Sequence, residues 1–230
     1  MSISILDIGR FRDTGGATPP TPFAFAIIED LLTEQLLPDL AGDFPDYKSA
    51  GFFPYAARDC GPTIRALVEE MTSPVFADTL GARLGIGQLS QFPALVTICR
   101  SLNRRHGTIH TDSRSKVATA LLYLNSQWPD TSDGCLRFLH RIDDIDAMVV
   151  PEIRPLYGTL AAFKRADNSF HGHLPYEGER RVIQVAWLTS LQEKQRKTRR
   201  GHFSRLVKML FAGLDRRLGA RRDRNCSHRG

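Results

Sequence analysis

Residues 107–125 read GTIHTDSRSKVATALLYLN, and the rest of the chain is best read outward from them. In an extended strand alternate side chains share a face, so Val117, Thr119, Leu121 and Tyr123 should line one side of the run, expected to be the interior of a barrel. The same parity lets His110 and Asp112, two apart, converge on one point. That point is either a metal ion or a buried hydrogen bond, and an isolated His-x-Asp does not choose between them.

Similar short runs follow on either side: FPALVTICRSL at 92–102, GCLRFL at 134–139, LYGTLAAFK at 156–164 and RVIQVAWL at 181–188. Each is rich in Val, Ile, Leu, Thr or aromatics and bounded by Gly, Asn, Asp or Pro, which predicts strands. Strands this short at this spacing suggest a sandwich or barrel, the double-sheet jelly rolls included. Upstream the texture is helical. TGGATPPTP reads as a loop, PFAFAIIEDLL as a strand running into a helix start, and LLTEQLLPDLAGDFP as a helix stopped by Pro and Gly. TIRALVEEMTSPVFADTLGARLGI is a longer helical pattern with a break at Ser73 and Pro74. The expected fold is α+β: a double-stranded β-helix of the jelly-roll, cupin-like kind, with N-terminal supporting helices and a C-terminal basic amphipathic helix. One domain is expected over 1–192, its helical support mainly in 24–90 and its β core in 92–190.

The 31 Lys and Arg against 25 Asp and Glu give +6, but the excess is local. From Glu193 onward there are 13 basic and 3 acidic residues, or +10, leaving 18 against 22, or −4, before it. The run QEKQRKTRRGH reads as a polar basic linker. Phe203, Leu206, Val207, Leu210, Phe211, Leu214 and Leu218 then recur at helical intervals among Arg and Lys, the pattern of a basic amphipathic helix. Such a helix docks on its own domain or a partner, or lies on an anionic membrane surface; nucleic acid is disfavoured, since few aromatics interleave with the charges. Four cysteines without CxxC spacing, Cys60, Cys99, Cys135 and Cys226, read as free thiols. No apolar run approaches the roughly 20 residues of a membrane span, and a cytoplasmic location is the expectation.

A third metal ligand is available in DNSFHGHLPYEGERRVIQVAW at 167–187. Two histidines and a carboxylate on neighbouring strands make the facial triad of non-haem Fe(II) oxygenases, which leaves coordination positions open. His-Thr-Asp, LLYLNSQW, LRFL, YGTLAAF and HGHLPYEGERR followed by VIQVAW, in that order over residues 92–190, resemble the 2-oxoglutarate and Fe(II)-dependent oxygenases, in particular their prolyl-hydroxylase-like branch. The resemblance implies iron ligation by His110, Asp112 and His171, with His173 the competing distal ligand. It implies 2-oxoglutarate as cosubstrate, held through its remote carboxylate by Arg181, six residues before Trp187, and by the Tyr123 hydroxyl. Arg180, on the opposite face by parity, reads better as an exposed ion-pairing residue. Two departures stand out: Ile183 replaces a hydroxyl residue common in relatives, and Asp133 with Gly134 replaces a glycine pair.

His106, with Arg104 and Arg105, reads as a solvated loop or the mouth of a pocket, and the acids of HRIDDIDAM as a charged surface turn. What the resemblance implies for function is hydroxylation of a substrate C–H coupled to conversion of 2-oxoglutarate and O2 into succinate and CO2, with ascorbate as a reductant. The substrate class is open between a peptide or protein side chain and a small metabolite. An inactive jelly-roll binding or scaffold module is the alternative.

Overall fold

A computed structural model describes residues 4–13 and 22–200. Its frame is a six-stranded antiparallel sheet in the order β1–β6–β4–β8–β3–β2, formed by β1 (Phe25–Ile28), β2 (Phe52–Pro54), β3 (Ala94–Leu102), β4 (Lys116–Tyr123), β6 (Leu160–Lys164) and β8 (Gly178–Leu188). Opposite it, β5 (Arg137–Leu139) pairs with β7 (Phe170–Gly172). Isolated bridges widen this second sheet: His110 to His171 on one side, Leu136 to Ile153 and Leu139 to Met148 on the other. Together they make the expected jelly roll.

The alternation of β4 and β8 explains why the large sheet stands between two cores. Ala118, Ala120 and Leu122, with Ile183, Val185 and Trp187, turn to one side and pack against the helices α3 (Pro62–Met71) and α4 (Pro74–Arg83) through Leu67, Met71, Phe76 and Leu80. Trp187 is stacked on Phe76 with ring centroids 6.4 Å apart. Leu121, Tyr123 and Val182 turn the other way, into the space between the sheets, where Phe23, Phe25, Phe138 and Phe163 close an aromatic core. The expected shared face of β4 holds for Leu121 and Tyr123. Val117 departs from it and joins the helix-side core, because the pairing of β4 with β8 shifts register between Lys116 and Ala118.

The helical break falls where Ser73 and Pro74 predict it. The Ser73 hydroxyl accepts the Phe76 N–H at 3.2 Å, and Pro74 occupies the first turn, where its missing N–H costs nothing. The short strand β2 escaped the sequence reading, whereas β7 carries His171, which was expected on a strand. The segment LLTEQLLPDLAGDFP forms a 3-10 turn, Glu34–Leu36, and then α2 (Leu37–Asp43). α1 spans Arg10–Asp13. Residues 191–200, expected to be linker, are helical; Lys197 donates to the Ser113 hydroxyl at 2.9 Å, tying this α5 (191–200) to the loop beyond Asp112. The amphipathic stripe from Phe203 to Leu218 lies outside the described residues, as does Cys226.

Arg137 shows how this fold accommodates a buried charge. Its side chain, 6% exposed, meets Glu152 at 2.8 Å and Asp146 at 2.6 Å, so the acids of 140–152 anchor that loop to β5. Cys60 and Cys135 are buried free thiols, which burial pushes up to about 11, leaving them unreactive, and Cys99 is buried with its Sγ on the Ser101 carbonyl at 3.3 Å. Among the described residues no helix is long and apolar enough to cross a membrane. Trp187→Ala is expected to cost about 3–5 kcal/mol of stability, as truncation of a large buried aromatic does, measured by urea unfolding of the metal-free protein.

Candidate active site

Between the two sheets lies a cavity of about 300 Å³. At one end the ligating atoms of His110, Asp112 and His171 fall within 4.8 Å of one another, the spacing of a metal-binding group. The convergence has a backbone cause. His110 and His171 exchange two main-chain hydrogen bonds, each 3.0 Å, which places their rings side by side at 4.4 Å. Each imidazole then engages a carbonyl two residues back through Nδ1, His110 on Thr108 and His171 on Ser169, both at 2.9 Å. With Nδ1–H donating, Nε2 keeps its lone pair for a metal.

Asp112 is gripped at both oxygens: Lys116 Nζ donates to Oδ1 at 2.6 Å and Thr119 Oγ1 to Oδ2 at 2.5 Å. Burial works to raise its pKa, but the charges of Lys116 and His171 and these hydrogen bonds hold it below the ordinary carboxylate value. Burial also drives His171 down to about 4 against the opposing pull of Asp112, so at neutral pH the ring is neutral and free to ligate. A carboxylate and two imidazoles are the donor set that a divalent iron takes in a facial arrangement.

His173 lines the same cavity but is not part of the metal-binding group. Its Nδ1 turns to the Leu174 carbonyl at 2.7 Å, and burial holds it at about 4. Gly107 makes room for it: with φ at +102°, a Cβ there would fall 2.5 Å from the His173 ring. His106 also reaches the cavity, at its mouth, rather than lying in a solvated loop. His140 is exposed and far from this constellation in role, its neighbouring acids being engaged with Arg137 and Arg141.

The arginines exchange places relative to the expectation. Arg181 shares its strand face with Ile183, Val185 and Trp187, the face turned to the helices. It pairs with Glu179, donates to the Ala41 carbonyl at 3.3 Å and lies over the Phe44 ring, lining a separate groove with Leu37, Trp128 and Tyr176. Arg180 points inward with Val182. It is 3% exposed and lines the cavity. Counting back an even number from Trp187 keeps to the wrong face, because Trp187 itself faces the helices.

Around Arg180 the cavity is built for an anion. Nε donates to the Gly134 carbonyl at 3.0 Å and Nη2 to the Tyr123 hydroxyl at 3.2 Å, with the guanidinium 5.0 Å from the Tyr123 ring. Gly134, with φ at +74°, is thus part of the Arg180 support. Tyr123 stands where the sequence places it, fully buried, but beside Arg180. Unlike Arg137, Arg180 meets no carboxylate among the described residues. A buried guanidinium without a counter-charge is costly, and a ligand carboxylate matched to its fork relieves the cost.

The family model described as the 2OG-Fe(II) oxygenase superfamily matches residues 97–189. Comparison with curated proteins gave no match. A Pseudomonas putida prolyl-4-hydroxylase is similar in structure, with a TM-score of 0.50 at 16% identity, covering 80% of this chain and 98% of that one. A viral collagen prolyl hydroxylase from Paramecium Bursaria Chlorella virus-1, in a truncated form, gives 0.50 at 13% identity, covering 77% and 96%. Residues 97–189 thus match the 2-oxoglutarate and Fe(II)-dependent oxygenases, and the fold is similar to that of prolyl hydroxylases. The family implies Fe(II) and 2-oxoglutarate, and the His110, Asp112 and His171 group fits an iron site.

Two outcomes are expected. His171→Ala should abolish Mn(II) or Fe(II) binding while His173→Ala retains most of it, measured by metal titration; the reverse order would make His173 the ligand. The second concerns pH. The folded state holds His171 and His173 neutral down to about 4, whereas the unfolded chain protonates them near 6.5. The folded form therefore binds fewer protons in that window, and stability should fall as pH is lowered from 6.5 to about 4. Urea midpoints at pH 7 and pH 5 test this; an equal or higher midpoint at pH 5 would contradict it.

Proposed function

We propose that this protein is a hydroxylase: it inserts oxygen into a substrate C–H bond while converting 2-oxoglutarate and O2 to succinate and CO2, with ascorbate serving as reductant. The observation that carries the reading is the cavity with two chemically distinct ends, a His–Asp–His donor group at one and a buried, uncompensated Arg180 at the other.

His110, Asp112 and His171 would hold the iron, and Arg180 with Tyr123 would hold the remote carboxylate of 2-oxoglutarate. Bound there, iron and cosubstrate supply the oxidising power by oxidative decarboxylation of the keto acid. The chain supplies the rest. Lys116 and Thr119 fix the Asp112 carboxylate, and the carbonyls of Thr108 and Ser169 fix the two rings. Two strands set where the opposite end lies: β4 brings Tyr123 and β8 brings Arg180 to one place, so an anion held there is oriented toward the metal ligands. Leu121, Leu136 and Phe163 line the walls between them and exclude water from the reaction.

For the substrate, a peptide or protein side chain is our first choice over a small metabolite. The support is that similar folds are named as prolyl hydroxylases, one of them a collagen prolyl hydroxylase. The basic C-terminal segment is proposed as a docking element for the domain or a partner.

The test needs no knowledge of the substrate, because uncoupled turnover yields succinate. Wild-type protein with Fe(II), ascorbate, 2-oxoglutarate and O2 is expected to form succinate, and Asp112→Ala to form none above background. Iron-loaded wild type that forms no more succinate than the variant would contradict the reading. Arg180→Met should weaken 2-oxoglutarate binding by roughly tenfold or more, the scale of a charge-assisted hydrogen bond, while Arg181→Met stays near wild type. An inverted ranking would return the role to Arg181.

A further inference from the structure

With a divalent ion at Asp112, the cavity would carry more positive charge than one ligand carboxylate balances. Among the described residues, the charged side chains lining it are Asp112, Lys116 and Arg180, two cations against one carboxylate. A divalent ion bound at Asp112 adds two further positive charges. A confined space of this kind needs a compensating dianion, and one carboxylate at Arg180 supplies half of it.

Lys116 is placed to take the other half. Its side chain is only 14% exposed, and its ammonium, with three N–H donors, has a single protein acceptor among the described residues, Asp112 Oδ1. A metal ion on Asp112 draws on the same carboxylate and leaves the ammonium more to give. Lys116 begins β4 and Tyr123 ends it, seven residues apart, roughly 20 Å of strand. Arg180 is fastened at the Tyr123 end. The two long cationic side chains therefore enter the cavity from opposite ends, an arrangement suited to a ligand with a carboxylate at each end.

We propose that Lys116 is a second carboxylate-anchoring residue, which receives the carboxylate next to the keto group of 2-oxoglutarate while Arg180 receives the remote one. This rests on the cosubstrate assignment above. The arrangement makes the cavity selective for a keto diacid by reading both ends through charge. Lys116 also touches Asp112, so the test must separate anchoring of the ligand from support of the metal site.

Lys116→Gln does so, because the amide keeps a hydrogen-bond donor for Asp112 while the charge is removed. The full-length protein is saturated with Mn(II), with saturation verified by metal titration of each variant. Binding is then measured calorimetrically for 2-oxoglutarate and for 2-oxobutyrate, which keeps the keto acid group and lacks the remote carboxylate. Lys116→Gln is expected to weaken both ligands by about tenfold or more, with Lys116→Arg regaining most of the loss. Arg180→Met should weaken 2-oxoglutarate and spare 2-oxobutyrate. Wild-type affinity of Lys116→Gln for 2-oxobutyrate would overturn the proposal and leave Lys116 as a support for Asp112. Failure of the Arg180 assignment appears separately, as Arg180→Met binding 2-oxoglutarate like wild type.

Discussion

The pair of backbone hydrogen bonds between His110 and His171 is the constraint on which the site depends. Sixty-one positions separate the two candidate ligands, and one antiparallel bridge closes that distance by joining the segment before β4 to the strand β7. Gly172 makes the approach possible. A Cβ there would fall 3.0 Å from the Gly107 carbonyl and 3.1 Å from the Ile109 Cα, backbone atoms that cannot move aside cheaply. The small residue between His171 and His173 thus lets one chain lie flat against the other, and the imidazoles follow from the backbone.

From that bridge the remaining parts of the site are placed by strand parity. Thr119, Leu121 and Tyr123 follow one another on the inner face of β4; Thr119 holds the Asp112 carboxylate and Tyr123 supports Arg180. The outer faces of β4 and β8, alanines and aliphatics with Trp187, are covered by α3 and α4. The helices are therefore the back wall that keeps the large sheet rigid, while the aromatic cluster of Phe23, Phe25, Phe138 and Phe163 holds the second sheet at the spacing the cavity requires. Stability and site geometry are properties of opposite faces of the same strands.

Much of this was legible because it is periodic. The alternation of β4 exposed Tyr123, and the His-x-Asp spacing with a distal histidine exposed the candidate ligands. The break at Ser73 and Pro74 is local chemistry and could be read directly. What escaped was whatever depends on a register or a facing that no residue announces. Val117 leaves its expected face through a register shift, and β2 is too short to show a period. The choice between Arg180 and Arg181 turns on whether Trp187 looks inward or toward helices, which is decided by α3 and α4 and not by β8. That Arg180 meets no carboxylate among the described residues, which supports the proposed anionic ligand, shows only once the surrounding chain is in place.

The central claim is that one cavity holds Fe(II) at His110, Asp112 and His171 together with a keto acid reaching to Arg180. It is tested most directly by anaerobic absorption spectroscopy of the Fe(II)-loaded protein on addition of 2-oxoglutarate. A keto acid chelating the ferrous ion is expected to produce a weak visible charge-transfer band, present in wild type and absent from His171→Ala. Folded, iron-loaded wild-type protein that stays colourless at saturating 2-oxoglutarate would contradict the account.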